Sequence, residues 1–326
     1  MIQHDTAQPD ILNGDQALKG YEMLMAACAA LEPITVAVVH PCDDASLTGA
    51  IDAAKAGLII PLLVGPRARI TALAEQEGID LTPYTIIDVE HSHAAAEKSV
   101  ELVRTGHAEA LMKGSLHTDE LLAEVVNKVT GLRTHRRISH CFVMDVPTYP
   151  KPLIVTDGAV NIAPDLKAKA DICQNAIELA HVLRIKVPRV AILSAVETVT
   201  PDIPSTIEAA ALCKMADRGQ ITGALLDGPL ALDNAISLEA AKTKKIVSPV
   251  AGQADILLVP DLEAGNILAK QLTFLARAEA AGIVLGARVP IILTSRADSV
   301  RARMSSCAVA VLLVHARRNK LTVAAV

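Results

Sequence analysis

The sequence predicts an α/β protein built on mostly parallel sheet, and three observations carry that prediction. Strand-length apolar runs alternate with helix-length segments, the order that lays helices on the faces of a parallel sheet. Most of the runs are continuous Val, Ile and Leu rather than alternating, as in strands covered on both faces. Of the 326 residues, 51% are hydrophobic and 21% charged, which is enough apolar material for a sizeable core. At ~150 residues per domain, the length predicts about two domains.

In chain order the predicted strands are 35–40, 58–64, 84–88, 110–113, 138–146, 153–157, 189–196, 221–227, 254–260 and 289–295. Helical segments between them include 90–105, 119–127, 168–183, 205–218 and 264–276. Ser205 with Glu208 three residues on has the spacing of a capping box, which sets one helix start. The segment 300–318 is apolar enough to be a long, well-buried final helix. The densest proline cluster, 147–152, marks one boundary because proline holds itself and its predecessor extended. A weaker break runs from Gly282 through Gly286 to Pro290. These breaks suit a domain of residues 152–285 inserted into one built from 1–151 and 286–326.

Composition removes several function classes. Three Tyr, two Phe and no Trp leave almost no platform for stacking bases, and the net charge of −5 argues against a polyanion binder. No nucleic-acid partner is expected. Cys28, Cys42, Cys141, Cys173, Cys213 and Cys307 are scattered singly, which suits a reducing cytosol better than a disulfide framework. The polar, acidic N-terminus has no secretory pattern, and the apolar stretch 307–314 is far short of the ~20 residues of a membrane span. The expectation is a soluble cytoplasmic protein with no membrane association.

Neither a Gly-x-Gly-x-x-Gly after the first strand nor a Walker loop occurs. Polar residues gather instead where strands end, the edge at which parallel α/β sheets bind ligands. Lys113-Gly114-Ser115 follows one strand; the glycine allows backbone to approach an anion, and Thr118 reads as the cap of the next helix. The plainer account is a strand-to-helix turn with a solvated lysine. Arg133, Arg136 and Arg137 bring three guanidiniums within five residues, and arginine forks match phosphate oxygens. A solvated charge run has the same composition.

Three acids follow strands in succession: Asp157 with Gly158 and Asn161, Asp227 with Gly228 and Pro229, and Asp261 with Gly265 and Asn266. Each alone is ordinary turn chemistry. Together, with small neighbours, they leave room for a ligand. Ser295-Arg296-Ala297-Asp298 follows the last strand, with capping-box spacing that suits the start of the final helix. A helix N-terminus carrying a hydroxyl and a guanidinium also favours bound anions. His91, His93, His135 and His140 lack a third and fourth ligand at metal spacing, and read as surface or helix-start residues. The cysteines read as small buried hydrophobes.

The motifs MKGSLHTDELL (112–122), GLRTHRRISH (131–140), TDGAVNIAPDL (156–166), AILSAVETV (191–199), LDGPLALDNAIS (226–237), SPVAGQADILLVPDLEAGN (248–266) and PIILTSRADS (290–299) together resemble the phosphate acetyltransferase/phosphate butyryltransferase family. The GLRT, NIAPD and LTSRADS forms look more like the butyryltransferase branch, including versions that elsewhere follow an enoyl-CoA hydratase domain. The resemblance implies two α/β/α domains of the isocitrate/isopropylmalate dehydrogenase-like fold, an active site in the interdomain cleft, and a homodimer. It implies the reaction acyl-CoA + phosphate ⇌ acyl phosphate + CoA, with CoA as substrate and no bound cofactor or metal. Ser295 and Arg296 match the family's Ser-Arg pair, which stabilises the transition state and holds the phosphoryl group. The acid that the acetyltransferase branch carries seven residues after that serine is Ala302 here. Asp298 is the nearest acidic substitute, with Asp261 and Asp227 as alternatives. Lys113, Ser115, Arg133, Arg137, Asp157, Asn161, Asp227, Gly228, Pro229, Asp261, Gly265 and Asn266 are the expected substrate contacts.

A thiol of pKa ~8.5 is only partly ionised at neutral pH, so a guanidinium and a carboxylate near CoA suit this chemistry. Two other readings stay open: a binder of acyl-CoA or acyl phosphate without the base, and a dehydrogenase of the related fold. The latter needs a metal-binding acidic cluster that no spacing supplies.

Overall fold

Continuous apolar runs become strands and the segments between them become helices in the computed structural model, which describes residues 16–295 and 298–324. The first part of the chain forms α1 (Gly20–Cys28), β1 (Ile34–Val39), α2 (Asp44–Lys55), β2 (Ile59–Gly65), α3 (Arg67–Glu77) and β3 (Thr85–Asp88). It continues through α4 (Ser92–Arg104), β4 (Ala110–Lys113), α5 (Thr118–Val125) and β5 (Ser139–Asp145). Then come β6 (Leu153–Thr156), α6 (Leu166–Val182), β7 (Arg189–Leu193), α7 (Pro204–Asp217), β8 (Leu225–Leu230), α8 (Leu232–Ile236) and α9 (Leu238–Thr243). Last are β9 (Ile256–Leu258), α10 (Leu262–Phe274), β10 (Glu279–Leu285), β11 (Ile291–Ile292) and α11 (Val300–Ala324).

The described strands form one sheet in the order β3-β2-β1-β4-β11-β10-β5-β6-β9-β7-β8. Strands β3, β2, β1, β4 and β11 run parallel to one another. So do β6, β9, β7 and β8, in the opposite direction, because β11–β10, β10–β5 and β5–β6 are all antiparallel pairs.

Register decides where the two halves end. Paired residues cross the sheet in a single row: Val38, Met112, Ile292, Ile283, Cys141, Thr156 and Leu258. One step beyond the row, in opposite directions, lie Lys113 and Leu293 on one side and Asp157 and Val259 on the other. The carboxyl edges of both halves therefore meet at the middle of the sheet. The row itself faces a layer that includes α1, α2, α6 and α11, and helix α11 crosses the centre against β10. The opposite face carries two separate apolar clusters, one beneath α4 and α5 and the other around α10. Between those clusters the central strands place Gly282, His140 and Phe142 on that face, at positions that flank the row.

Several sequence expectations need correction. The break at Gly282 is instead the middle of β10; the glycine is needed because a Cβ there would collide with the Leu293 carbonyl of the neighbouring strand. Strand 221–227 begins later, at Leu225, because Ile221 packs into the core ahead of a turn at Gly223 with φ +85°. Strand 289–295 shortens to Ile291–Ile292. Thr118 is the first helical residue and His117 the cap, with no side-chain bond. Ser205 caps nothing, since Pro204 opens α7; its hydroxyl pairs with Ser194 Oγ at 2.8 Å, and Glu208 pairs with Lys169.

Candidate active site

The first part of the candidate site is the loop after β4. Its backbone joins the end of β1, with Gly114 N donating to Val39 O at 2.9 Å and Ser115 N to His40 O at 2.8 Å. A Cβ on Gly114 would strike those same carbonyls, so the glycine serves this strand-end junction rather than an approach to anions. His40 holds φ +54° and its Nδ1 lies 3.1 Å from Ser115 O; burial lowers its pKa. This places Lys113 and Ser115 at the carboxyl end of β4.

Ser295 stands beside them, since β11 pairs parallel with β4. Asp298 Oδ2 accepts from Ser295 N at 2.7 Å, and Asp298 N donates back to Ser295 O at 3.1 Å, closing a tight turn. The cap of α11 is Ser299, whose Oγ accepts from Ala302 N at 3.1 Å, so Ser295 does not begin the final helix as its spacing suggested. Burial raises the Asp298 pKa, opposed by the Ser295 N–H bond and by the Arg303 guanidinium. Arg303, which sequence reasoning passed over, donates Nη1 to Asp298 O at 2.6 Å. Ser115, Asp298, Arg303, Asp43 and Thr48 line a cavity of about 620 Å³. Arg296 lies outside the described residues.

The second wall is the loop after β6. Asp157 is buried, and its carboxylate accepts from the N–H groups of Ala159, Val160 and Asn161 and from Asn161 Nδ2 at 2.6 Å. Asn161 also donates to Ile138 O at 2.8 Å and accepts from Arg137 Nε at 2.8 Å. Asp157 and Asn161 thus aim Arg137. Arg136 is paired with Glu178 at 2.7 Å, while Arg133 is exposed on the strand-like bridge to Ala287. Asp261 caps α10 through Ala264 N at 2.9 Å. Asn266 Nδ2 donates to Gly158 O at 3.0 Å, and a Cβ on Gly265 would sit 2.6 Å from Asp157 O, so α10 is clamped to this loop.

Asp227, Gly228 and Pro229 do not join this set. They lie within β8 rather than after a strand, and β8 is six strand positions from β11, roughly 29 Å at ~4.8 Å per strand. Burial pushes the Cys28, Cys141, Cys173, Cys213 and Cys307 thiols up to about 12. His140, read as a surface residue, is instead 1% exposed. Its neighbours in sequence gave no signal of this; only the pairing of β5 between two strands puts it inside. Among the described residues no group of three or more His, Cys, Asp and Glu is placed to hold a metal ion, and no helix is long and apolar enough to cross a membrane.

Residues 93–311 match the family model described as phosphate acetyl/butaryl transferase. This chain belongs to that family. It is 64% identical over 94% of its length to the phosphate acetyltransferase of Rhizobium meliloti, covering 96% of that protein. It is 42% identical over 91% of its length to the phosphate butyryltransferase of Clostridium acetobutylicum, covering 98% of that one. The crystal structure of a branched-chain phosphotransacylase from Enterococcus faecalis V583 superposes with TM-score 0.76 at 32% identity, over 86% of this chain and 99% of that one. A putative 4-hydroxythreonine-4-phosphate dehydrogenase from Salmonella typhimurium shares the fold alone, at TM-score 0.55 and 13% identity over 86% and 98% of the two chains. The dehydrogenase-like fold expected for a phosphate acyltransferase is therefore the fold present.

Proposed function

We propose that this protein is an acyltransferase that moves a short acyl group reversibly between CoA and inorganic phosphate. The observation that carries the reading is near-complete alignment, at 64% and 42% identity, with proteins named phosphate acetyltransferase and phosphate butyryltransferase. CoA is a substrate in this reading. The groove between the Lys113–Ser115 and Ser295–Asp298 wall and the Arg137–Asp157 wall is the proposed site, shared by a domain of residues 1–151 with 286–326 and a domain of residues 152–285. Strands β5 and β10 would then form the junction. A homodimer belongs to the same proposal; Phe274 and Leu275, 72% and 80% exposed at the end of α10, offer apolar surface for it.

In the direction that consumes acyl phosphate and forms acyl-CoA, the CoA thiol loses its proton to Asp298 and the thiolate adds to the acyl carbonyl carbon. The C–S bond forms, the carbonyl electrons move to oxygen, and collapse breaks the C–O bond to phosphate. Arg296 and an arginine of the 133–137 segment neutralise the departing phosphate. Cysteines raised by burial are poor nucleophiles, so this reading has direct transfer in a ternary complex rather than an acyl-cysteine.

Rates of CoA release from acetyl-CoA and butyryl-CoA, with and without phosphate, test the reading. Phosphate-dependent release with stoichiometric acyl phosphate is expected. Binding without turnover would favour the non-catalytic alternative, and phosphate-independent release would contradict acyl transfer to phosphate.

A further inference from the structure

Neighbouring arginines of the 133–137 run point to different parts of the fold. Arg137 turns to Asn161 in the loop after β6, whereas Arg136 turns to Glu178 of α6, in the layer of α6 and α11. On that second side, beyond Leu285 at the end of β10, lies a cavity of about 370 Å³. It shares no lining residue with the cavity beside Asp298 and Arg303. Small-ligand sites ordinarily span ~300–1,000 Å³, so this one can hold a small molecule.

The cavity has an apolar floor and a cationic rim. Leu179 and Val182 of α6, Leu285 of β10 and Leu313 of α11 supply the floor. Arg136, Arg288 and Arg317 stand around it with a single carboxylate, Glu178, among them. That carboxylate is taken by Arg136. Arg317 is half-buried, and its side chain makes one hydrogen bond among the described residues, from Nη1 to the Arg288 carbonyl at 2.8 Å. Glu178 acts on it through charge but forms no ion pair with it, and burial lowers its pKa, as for a cation drawn out of water. Buried charges are ordinarily paired, and this one is not. Arg288 is exposed, and its side chain makes no hydrogen bond among the described residues.

We propose that this cavity binds a small organic anion, with a phosphate or carboxylate head held by Arg317 and Arg288 and a short apolar chain laid on Leu179, Leu285 and Leu313. Planar guanidiniums match both kinds of head through paired N–H groups. The head supplies the counter-charge that Arg317 lacks, and the chain covers apolar surface otherwise left to water. The rim is braced: Thr134 Oγ1 donates to Gly286 O at 2.5 Å and accepts from Arg136 N at 3.1 Å, tying the arginine loop to the turn that carries Arg288. Arg288 and Arg317 have no part in the acyl-transfer reading, so the two proposals stand or fall separately.

Methyl NMR of leucine- and valine-labelled protein, titrated with n-butyl phosphate, butyrate and inorganic phosphate, tests the site. One of the organic anions should shift the Leu179, Leu285 and Leu313 methyl resonances saturably, and at lower concentration than inorganic phosphate, which has no chain for the floor. The tighter of the two identifies the head. Arg317→Gln should weaken that binding at least about tenfold while kcat and KM for phosphate and CoA stay at wild-type values. If Arg317→Gln does not fold, Ala316→Leu, which fills the cavity and keeps every guanidinium, should abolish the shifts instead. Methyl resonances unmoved by either organic anion overturn the proposal, as does equal affinity in wild type and a folded variant. Equal binding of inorganic phosphate would remove the apolar half and overturn the ligand class. A fall in kcat alongside the lost binding would make the cavity part of the catalytic site, which also contradicts the proposal.

Discussion

Two serines four residues apart divide the work at the start of α11. Ser299 caps the helix, so Ser299→Ala should cost about 1 kcal/mol of stability and leave turnover near wild type. Ser295 belongs to the turn closed by Asp298, and Ser295→Ala should lower kcat at least tenfold; equal rates in the two variants would undo the distinction. Asp298 can be probed through pH. Its buried carboxyl titrates above the ordinary carboxylate range, so as a base it loses activity when pH falls through that raised value. Measured as acyl-CoA formation from acyl phosphate and CoA, the acid limb of kcat should therefore sit high in wild type and disappear, along with most of the rate, in Asp298→Asn. Stability has the opposite sign: a carboxyl raised by burial favours folding most at low pH and loses that advantage as pH rises through its folded value. At this scale residue types were legible in the sequence and their partners were not. Ser295 and Asp298 have capping-box spacing, yet the helix starts four residues on, where only the geometry of the turn shows the cap.

Strands and helices were legible where apolar runs were long. β1, β2, β4, β5 and β6 lie within a residue or two of the runs 35–40, 58–64, 110–113, 138–146 and 153–157. β10 was lost because Glu279-Ala-Ala-Gly282 carries little β propensity; pairing along β5 makes it a strand. The arginine loop before β5 makes the same point. Composition gives three equivalent guanidiniums, whereas the fold ties Arg136 to Glu178 and steers Arg137 through Asn161. Arg133→Ala should raise KM for phosphate or CoA with an almost unchanged unfolding midpoint, and Arg136→Ala should leave both within error, since an exposed pair is worth ~1 kcal/mol or less. Equal effects from the two would restore the simple charge-run account. At the second wall, Gly265→Ala should cost about 1–3 kcal/mol, because a methyl group meets Asp157 O at 2.6 Å and pushes α10 off the loop. An unchanged unfolding midpoint would show that this contact relaxes freely.

The whole molecule explains how residues nearly two hundred apart in sequence come to lie at adjacent strand ends. Antiparallel β5 and β10 reverse the direction of half the sheet, and the register places both carboxyl edges at its centre. None of that is legible locally, since register between β4, β11, β10, β5 and β6 depends on pairs far apart in the chain. That is why Asp227, an acid beside a glycine like Asp157, proves to lie on the far edge strand, and why His140 was read as a surface residue. The central claim is that the groove at the Ser295 strand end is where acyl transfer occurs, and Arg296 is its most direct probe because it lies outside the Ser299 cap. The measurement is kcat for phosphate-dependent CoA release by Arg296→Gln beside wild type. A folded variant with kcat reduced at least about a hundredfold is predicted, because an uncharged amide cannot neutralise the departing phosphate. Turnover near wild type would contradict the account.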